Sequence, residues 1–451
     1  MRTALVILLS AALTATAQAQ NQSCAFQLDY VGGQGLQQVS GADTNYFANN
    51  GVRLRCRGTS ITMSSDSLAH YGRRDGTVTD FIGKVKYRDS TVTMDADKGT
   101  YFRNGERWEA RGHVITRNLE NGSTLEGPSL DYYRSIPGVR DTVEIFSVGR
   151  PTIHFVSTDS TGQKAEPYVI IADRVRMRGQ KQLWAGGNVN ITRSDFFAHG
   201  DSLRLDTGAG NDGTLLGNPI VRGLGADSFN LTGHRIDFRL EAQALRYVVS
   251  KGKAHAVSAD VDLVADTIGL DIQKSQLVQT LAWGDSIRPN AASASYQIKA
   301  DSLAIDTPER VLKETRAYGK AWVGGKPDSL THERDWISGD TVVAQFGARD
   351  SAGARRTGLQ RLESHGAARS YYRVAAARAT ETPSLNYSRG DKIIVRMKTT
   401  AEGGVEHVDL QGHVDGVQLE PKKAPPDSTR ADSTRADSVQ GRRPATRGKP
   451  T

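Results

Sequence analysis

The 451 residues are 37% apolar, 7% aromatic and 24% charged, a composition that excludes a collagen, a coiled coil, a cysteine-stapled miniprotein and a wholly disordered chain. The formal charge of +8 is concentrated at one end: after Glu420 the chain carries Lys422, Lys423, Arg430, Arg435, Arg442, Arg443, Arg447 and Lys449 against Asp427, Asp432 and Asp437. The body is left close to neutral, which speaks against a basic groove for nucleic acid.

In chain order, Met1–Gln20 reads as a secretory signal: Arg2, an apolar run from Ala4 to Leu13, then Ala17-Gln18-Ala19 as a cleavage site. The expected mature chain follows residues 1–19 and lies in the periplasm, with lipidation at Cys24 disfavoured because Asn21-Gln22-Ser23 precede it. Residues 20–60 form an N-terminal segment holding both cysteines, Cys24 and Cys56. Export permits a bridge between them, and two unpaired thiols are the alternative.

From Ile61 to Leu419 short alternating runs are separated by glycine, Asp-Ser or Asn-Gly, with almost no 3.6-residue apolar period. The runs repeat. A glycine opens one strand, and a small residue followed by aspartate opens the next, as in GKVKY with STVTMDADKGTYF, GGNVNIT with DFFAHGDSLRLDT, and YGKAWVGG with WISGDTVVAQF. About ten such hairpins are expected, with loops lengthening toward the C-terminus.

Alternation places Val85, Val92, Met94, Val189, Ile191, Leu203, Leu205, Leu303 and Ile305 on one apolar face, and Lys84, Lys86, Thr91, Thr93, Asn190 and Arg204 on the other. A single hairpin cannot bury such a face, so neighbours must stack. From 421 the composition turns to a polar, basic tail with a tandem ADSTR repeat, expected to be disordered.

Chemical motifs are weak. Gly200-Asp201-Ser202-Leu203 spells the serine-esterase GDSL signature, but Asp-Ser-Leu recurs at Asp66, Asp301 and Asp328, so the repeat itself explains it. Gly208-Ala209-Gly210-Asn211-Asp212-Gly213 has dinucleotide-loop spacing without a following helix and reads as a hairpin loop. Asp95-Ala96-Asp97-Lys98-Gly99 lacks the ligands of a calcium loop and reads as a turn. His113, His234, His365 and His413 read as exposed turn residues, and Arg389-Gly390-Asp391 as the turn before KIIVRM. Trp108, Trp184, Trp283 and Trp322 read as packing residues in equivalent positions of successive units. No catalytic residue, cofactor or metal site is expected.

The recurring step at Ala96-Asp97, Ala172-Asp173, Gly200-Asp201, Ala265-Asp266, Ala300-Asp301 and Gly339-Asp340, together with its glycine-started partner strands, resembles the OstA-like family. That family comprises the periplasmic bridge proteins of lipopolysaccharide transport and the N-terminal domain of the outer-membrane translocon. The resemblance implies an all-β, open, taco-like β-jellyroll without enzyme activity. Its apolar interior would shield the acyl chains of a lipopolysaccharide-type glycolipid, with the nine aliphatic residues above as the lipid contacts. It further implies partners in other OstA-like proteins, or in copies of this chain, joined by edge-strand pairing. The chain is about twice the length of a single-module bridge, which leaves two readings: one long bridge, or two fused modules, one at 61–270 and a second, looser one at 271–420. A structural or adhesive envelope repeat protein is the alternative.

Overall fold

Glycine recurs at the middle of the long strands, and the reason is a bend. The computed structural model describes residues 24–421 apart from 74–75, 157–165, 180, 209–211, 225–227, 242–243, 260, 328–332, 352–353, 375–382 and 399–403. The expected signal sequence and the expected tail from Lys422 lie outside the described residues.

The described chain is all-β: thirty-two strands in one antiparallel meander, in which each pass pairs with the pass before it and the pass after it. One 3-10 turn, Pro308–Arg310, interrupts it.

Most passes carry two ladders separated by a kink. In Gly76–Arg88, residues 78–82 pair with 98–102 of Val92–Phe102, and residues 85–88 pair with 93–96. Between them Gly83-Lys84 stands opposite the single residue Asp97, a bulge in which both members adopt positive φ, +76° and +47°. A two-against-one bulge bends its strand, and left-handed φ favours glycine at its first position. The same device recurs at Gly112-His113, Gly187-Asn188, Gly252-Lys253, Gly319-Lys320 and Gly366-Ala367.

The aspartates of the repeat sit against these glycines. A Cβ placed on Gly187 would come 2.4 Å from Asp173 Oδ2, one on Gly217 2.2 Å from Asp201 Oδ2, and one on Gly366 2.2 Å from Asp340 Oδ2. The backbone closes the same contact, since Asp173 N donates to Gly187 O at 2.9 Å and Asp301 N to Gly319 O at 2.9 Å. Gly83 meets Asp66 and Gly412 meets Asp391 in the same way, while Pro128 stands against Gly149 and His234 against Gly252. The repeat in the sequence is therefore the apex of a folded sheet.

The two ladders fold about that apex so that their apolar faces meet. Tyr87 and Trp108 belong to different ladders, yet their rings lie 5.2 Å apart, and Phe26 reaches across to Tyr101 at 5.2 Å. Room is least at the apex, and the inward residue two before its glycine is usually small: Ala110, Ser147, Ala185, Ser250, Ala282, Ala317 and Ser364. Three of these are buried serines whose hydroxyls donate to carbonyls on the adjoining pass, Ser147 to Ser129 O at 2.6 Å, Ser250 to Thr232 O at 2.7 Å and Ser364 to Ser338 O at 2.8 Å. Each satisfies a buried polar group that an apolar apex could not serve. One hydrophobic cluster runs along the fold from Cys24 to Ile393.

Several sequence expectations are corrected. Asp95–Gly99 is not a turn but the middle of the strand Val92–Phe102, with Asp97 at the bend. Arg389-Gly390-Asp391 likewise lies inside Ser384–Met397. His113 and His413 are exposed but at the apex, each with Nδ1 on an aspartate, Asp97 at 2.7 Å and Asp391 at 2.8 Å.

The four tryptophans are not equivalent: Trp108 is in the core, Trp184 faces outward, and Trp283 is 40% exposed. They stand at different offsets from the apex glycine, and a shift of one residue turns a strand side chain to the other face. The added length near the C-terminus goes into strands as well as loops: Trp336–Ser351 and Ala354–Val374 pair with each other as far as Ser351 opposite Ala354, beyond the reach of Glu314–Gly325.

The pairing also crosses 271–295 unbroken, with Asp271 opposite both Tyr247 and Gln279. At the other end, Phe26–Val31 to Val52–Cys56 are the first passes of the same sheet. Residues 209–211 of the glycine-rich hairpin lie outside the described residues.

Candidate functional site

Folding one meander about an apex leaves an interior with two rims of hairpin turns opposite the apex and an open end at each terminus. All nine aliphatic residues singled out by alternation point into this interior, and Ile305, at 7% exposure, is the most accessible of them. They are packed against opposing side chains rather than lining an empty channel.

The openings into the interior include a mouth and a lateral cleft. At the N-terminal end a mouth of about 420 Å³ lies among Phe26, Leu28, Tyr46, Leu54, Leu68 and His70. It lies beside Phe26–Val31 and Gly35–Ser40, the first strands among the described residues, whose faces no other described pass covers, and Leu28 is 54% exposed. His70 lines the mouth, its Nδ1 2.8 Å from Thr79 Oγ1. Burial, assisted by the charge of Arg103, holds its pKa below the ordinary histidine value.

The second space is a lateral cleft of about 290 Å³ between the rims. Val92, Leu125, Ile153 and Phe155 come from one ladder and Ile145 and Met177 from the other. Asn118, Asn121 and Ser123 edge it on one rim, and Asp141 and Thr142 on the other. The cleft is apolar at depth and polar at its edge, the pattern of a site for an amphipathic ligand.

Elsewhere polar groups tie the rims together. Cys24 and Cys56 are joined by a disulfide with Cα atoms 5.0 Å apart, binding the first pass to the second. Cys24 N then donates across the seam to Glu106 Oε1 at 2.9 Å, and Arg134 Nη1 donates to Glu106 Oε2 at 2.5 Å. Next along the seam, Asp89 accepts from Tyr132 Oη at 2.7 Å, Tyr87 Oη at 2.9 Å and the backbone N–H groups of Thr91 and Val92 at 2.7 and 2.8 Å.

Burial alone would push the Asp89 carboxyl up, but these donors outweigh it and hold its pKa below the ordinary carboxylate value. The same burial, with the carboxylate alongside, pushes the Tyr132 phenol well up. Further on, Ser275 Oγ donates to Asp195 Oδ2 across the rims at 3.1 Å, beside an opening of about 180 Å³. These ties were not readable from the sequence, because their members stand 82, 43 and 80 residues apart.

Ser202 sits in a strand with Gly186 and Leu216 as ladder partners. Among the described residues no three of His, Cys, Asp and Glu gather as metal ligands. No family model matches the chain, and no curated protein matches it.

Proposed function

We propose that the protein is an exported carrier that shields the acyl chains of a lipopolysaccharide-type glycolipid between its two ladders and passes the lipid along the periplasm toward the outer membrane. The observation that carries this reading is the lateral cleft: an apolar slot open to solvent along a polar-edged seam, continuous with an aliphatic interior that ends in an open mouth. Acyl chains would lie inside with the head group at the seam. Each buried methylene contributes roughly 0.8 kcal/mol, so a multi-chain lipid needs more length than a 290 Å³ cleft supplies. Loading then requires the ladders to part between the ties at Asp89 and Asp195.

Among the described residues the end passes, Phe26–Val31 with Gly35–Ser40 and Val405–Gln411 with Asp415–Leu419, each have one neighbour. Their free edges suit β-strand addition to further copies or to similar proteins, which would extend the trough. Native mass spectrometry of the protein taken from its own envelope tests the reading. A co-purified glycolipid is expected, and protein free of lipid at full occupancy of the envelope machinery contradicts it. One observation favours a rigid envelope spacer instead: the interior away from the openings is filled by its own side chains. The same spectrum separates the two readings.

A further inference from the structure

On the outer face of the sheet, away from the interior, the middle passes form a second concavity of about 640 Å³. Its floor is low because Gly186 and Ser202, adjacent in the ladder, present almost no side chain. Arg174 lies over Gly186, where an added Cβ would come 3.1 Å from its Nε. Arg204 and Trp184 are paired in the next register position outward, and Leu216 opposes Ser202.

Many of the described arginines are paired with a carboxylate: Arg235 holds Asp237 at 2.8 Å and Arg239 holds Asp212 at 2.8 Å. Arg176 meets Glu144 at 3.2 Å while its guanidinium lies over the rings of Phe146 and Trp184, 5.2 and 5.4 Å from their centroids. Arg174 and Arg204, by contrast, have no acidic partner among the described residues, and both are exposed at the concavity. Two uncommitted guanidiniums beside a small-residue floor and an indole face combine two recognition elements: forked donors that match phosphate or carboxylate, and an aromatic platform for the apolar face of a ring.

We infer that this outer concavity binds an anionic saccharide, a sugar ring bearing phosphate or carboxylate, with Trp184 as its stacking surface and Arg174 and Arg204 as its anion ligands. The volume suits one or two sugar rings, within the roughly 300–1,000 Å³ of small-ligand sites. The inference does not depend on what the interior holds, since the two faces are separate.

Isothermal titration of the full-length mature protein at low salt tests it with three probes: trehalose 6-phosphate, trehalose and inorganic phosphate. Trehalose 6-phosphate is expected to bind at least about tenfold more tightly than either fragment. Arg174→Ala or Arg204→Ala should each weaken it by about tenfold, and Trp184→Ala should reduce it to the affinity of inorganic phosphate. Arg239→Ala, outside the concavity, should leave it unchanged. Arg174, Arg204 and Arg239 are exposed and Trp184 is half-buried, and folding of each variant is checked by unchanged thermal unfolding. Equal binding of trehalose 6-phosphate and inorganic phosphate in the unaltered protein, indifference to Trp184→Ala, or no binding of any probe overturns the inference.

Discussion

The apex glycines are the residues on which the fold turns, because each is held by two independent constraints. At Gly187 φ is +78°, which costs a side-chain-bearing residue about 1–2 kcal/mol, and the space a Cβ needs is taken by Asp173. Gly187→Ala is therefore expected to lower stability by about 2 kcal/mol or more in urea unfolding. Gly105→Ala, where a Cβ meets nothing within 4 Å, should fall within about 0.5 kcal/mol of the parent.

Asp89 makes a different kind of test. Its folded pKa is held low, so its contribution is present above the ordinary carboxylate pKa near 4 and is lost as pH falls through the folded value. Asp89→Asn should cost about 2 kcal/mol at pH 7, with the gap to the parent closing as the pH falls below the ordinary carboxylate range. A gap independent of pH would mean that Asp89 is not held as a carboxylate.

At the scale of the strand, what matters is the phase of each side chain relative to the apex. Trp108 stands four residues before Gly112 and is 1% exposed, whereas Trp283 immediately precedes Gly284 and is 40% exposed. Trp108→Ala should cost about 3–5 kcal/mol, and Trp283→Ala about 0.5 kcal/mol or less, read from the same unfolding curves.

This also marks how far the sequence was legible. Alternation within a strand is local, so the inward set from Val85 to Ile305 could be read directly, as could the all-β class. The Ala-Asp step was visible as a repeat, but not its role as the seat of a bend, because that role appears only when the next pass lays its glycine against the aspartate. Pro128 and His234 fill the same seat with different side chains and so escaped the pattern. The rim ties around Glu106, Asp89 and Asp195 join residues that only the folded meander brings together, and no local signal announces them.

For the whole molecule, an unclosed meander leaves two edges and two rims, and each has a consequence. The first pass exposes Leu36 and Val39 at 62% and 63%, beside a row of backbone groups with no partner strand among the described residues. Charge at an edge opposes strand addition, so, on the proposal that copies join at this edge, the parent should self-associate with rising concentration in sedimentation velocity and Leu36→Lys with Val39→Lys should reduce that association while leaving the far-ultraviolet spectrum unchanged. Unaltered association would move the contact away from this edge.

The rims govern access to the interior. Photo-crosslinking amino acids placed at inward Val189 and Leu205, with outward Asn190 and Lys86 as controls, test this most directly when the protein is supplied with lipopolysaccharide from membranes. Glycolipid adducts are expected at Val189 and Leu205 and not at the controls. No adduct at either inward position, or equal capture on both faces, would contradict a trough that carries acyl chains.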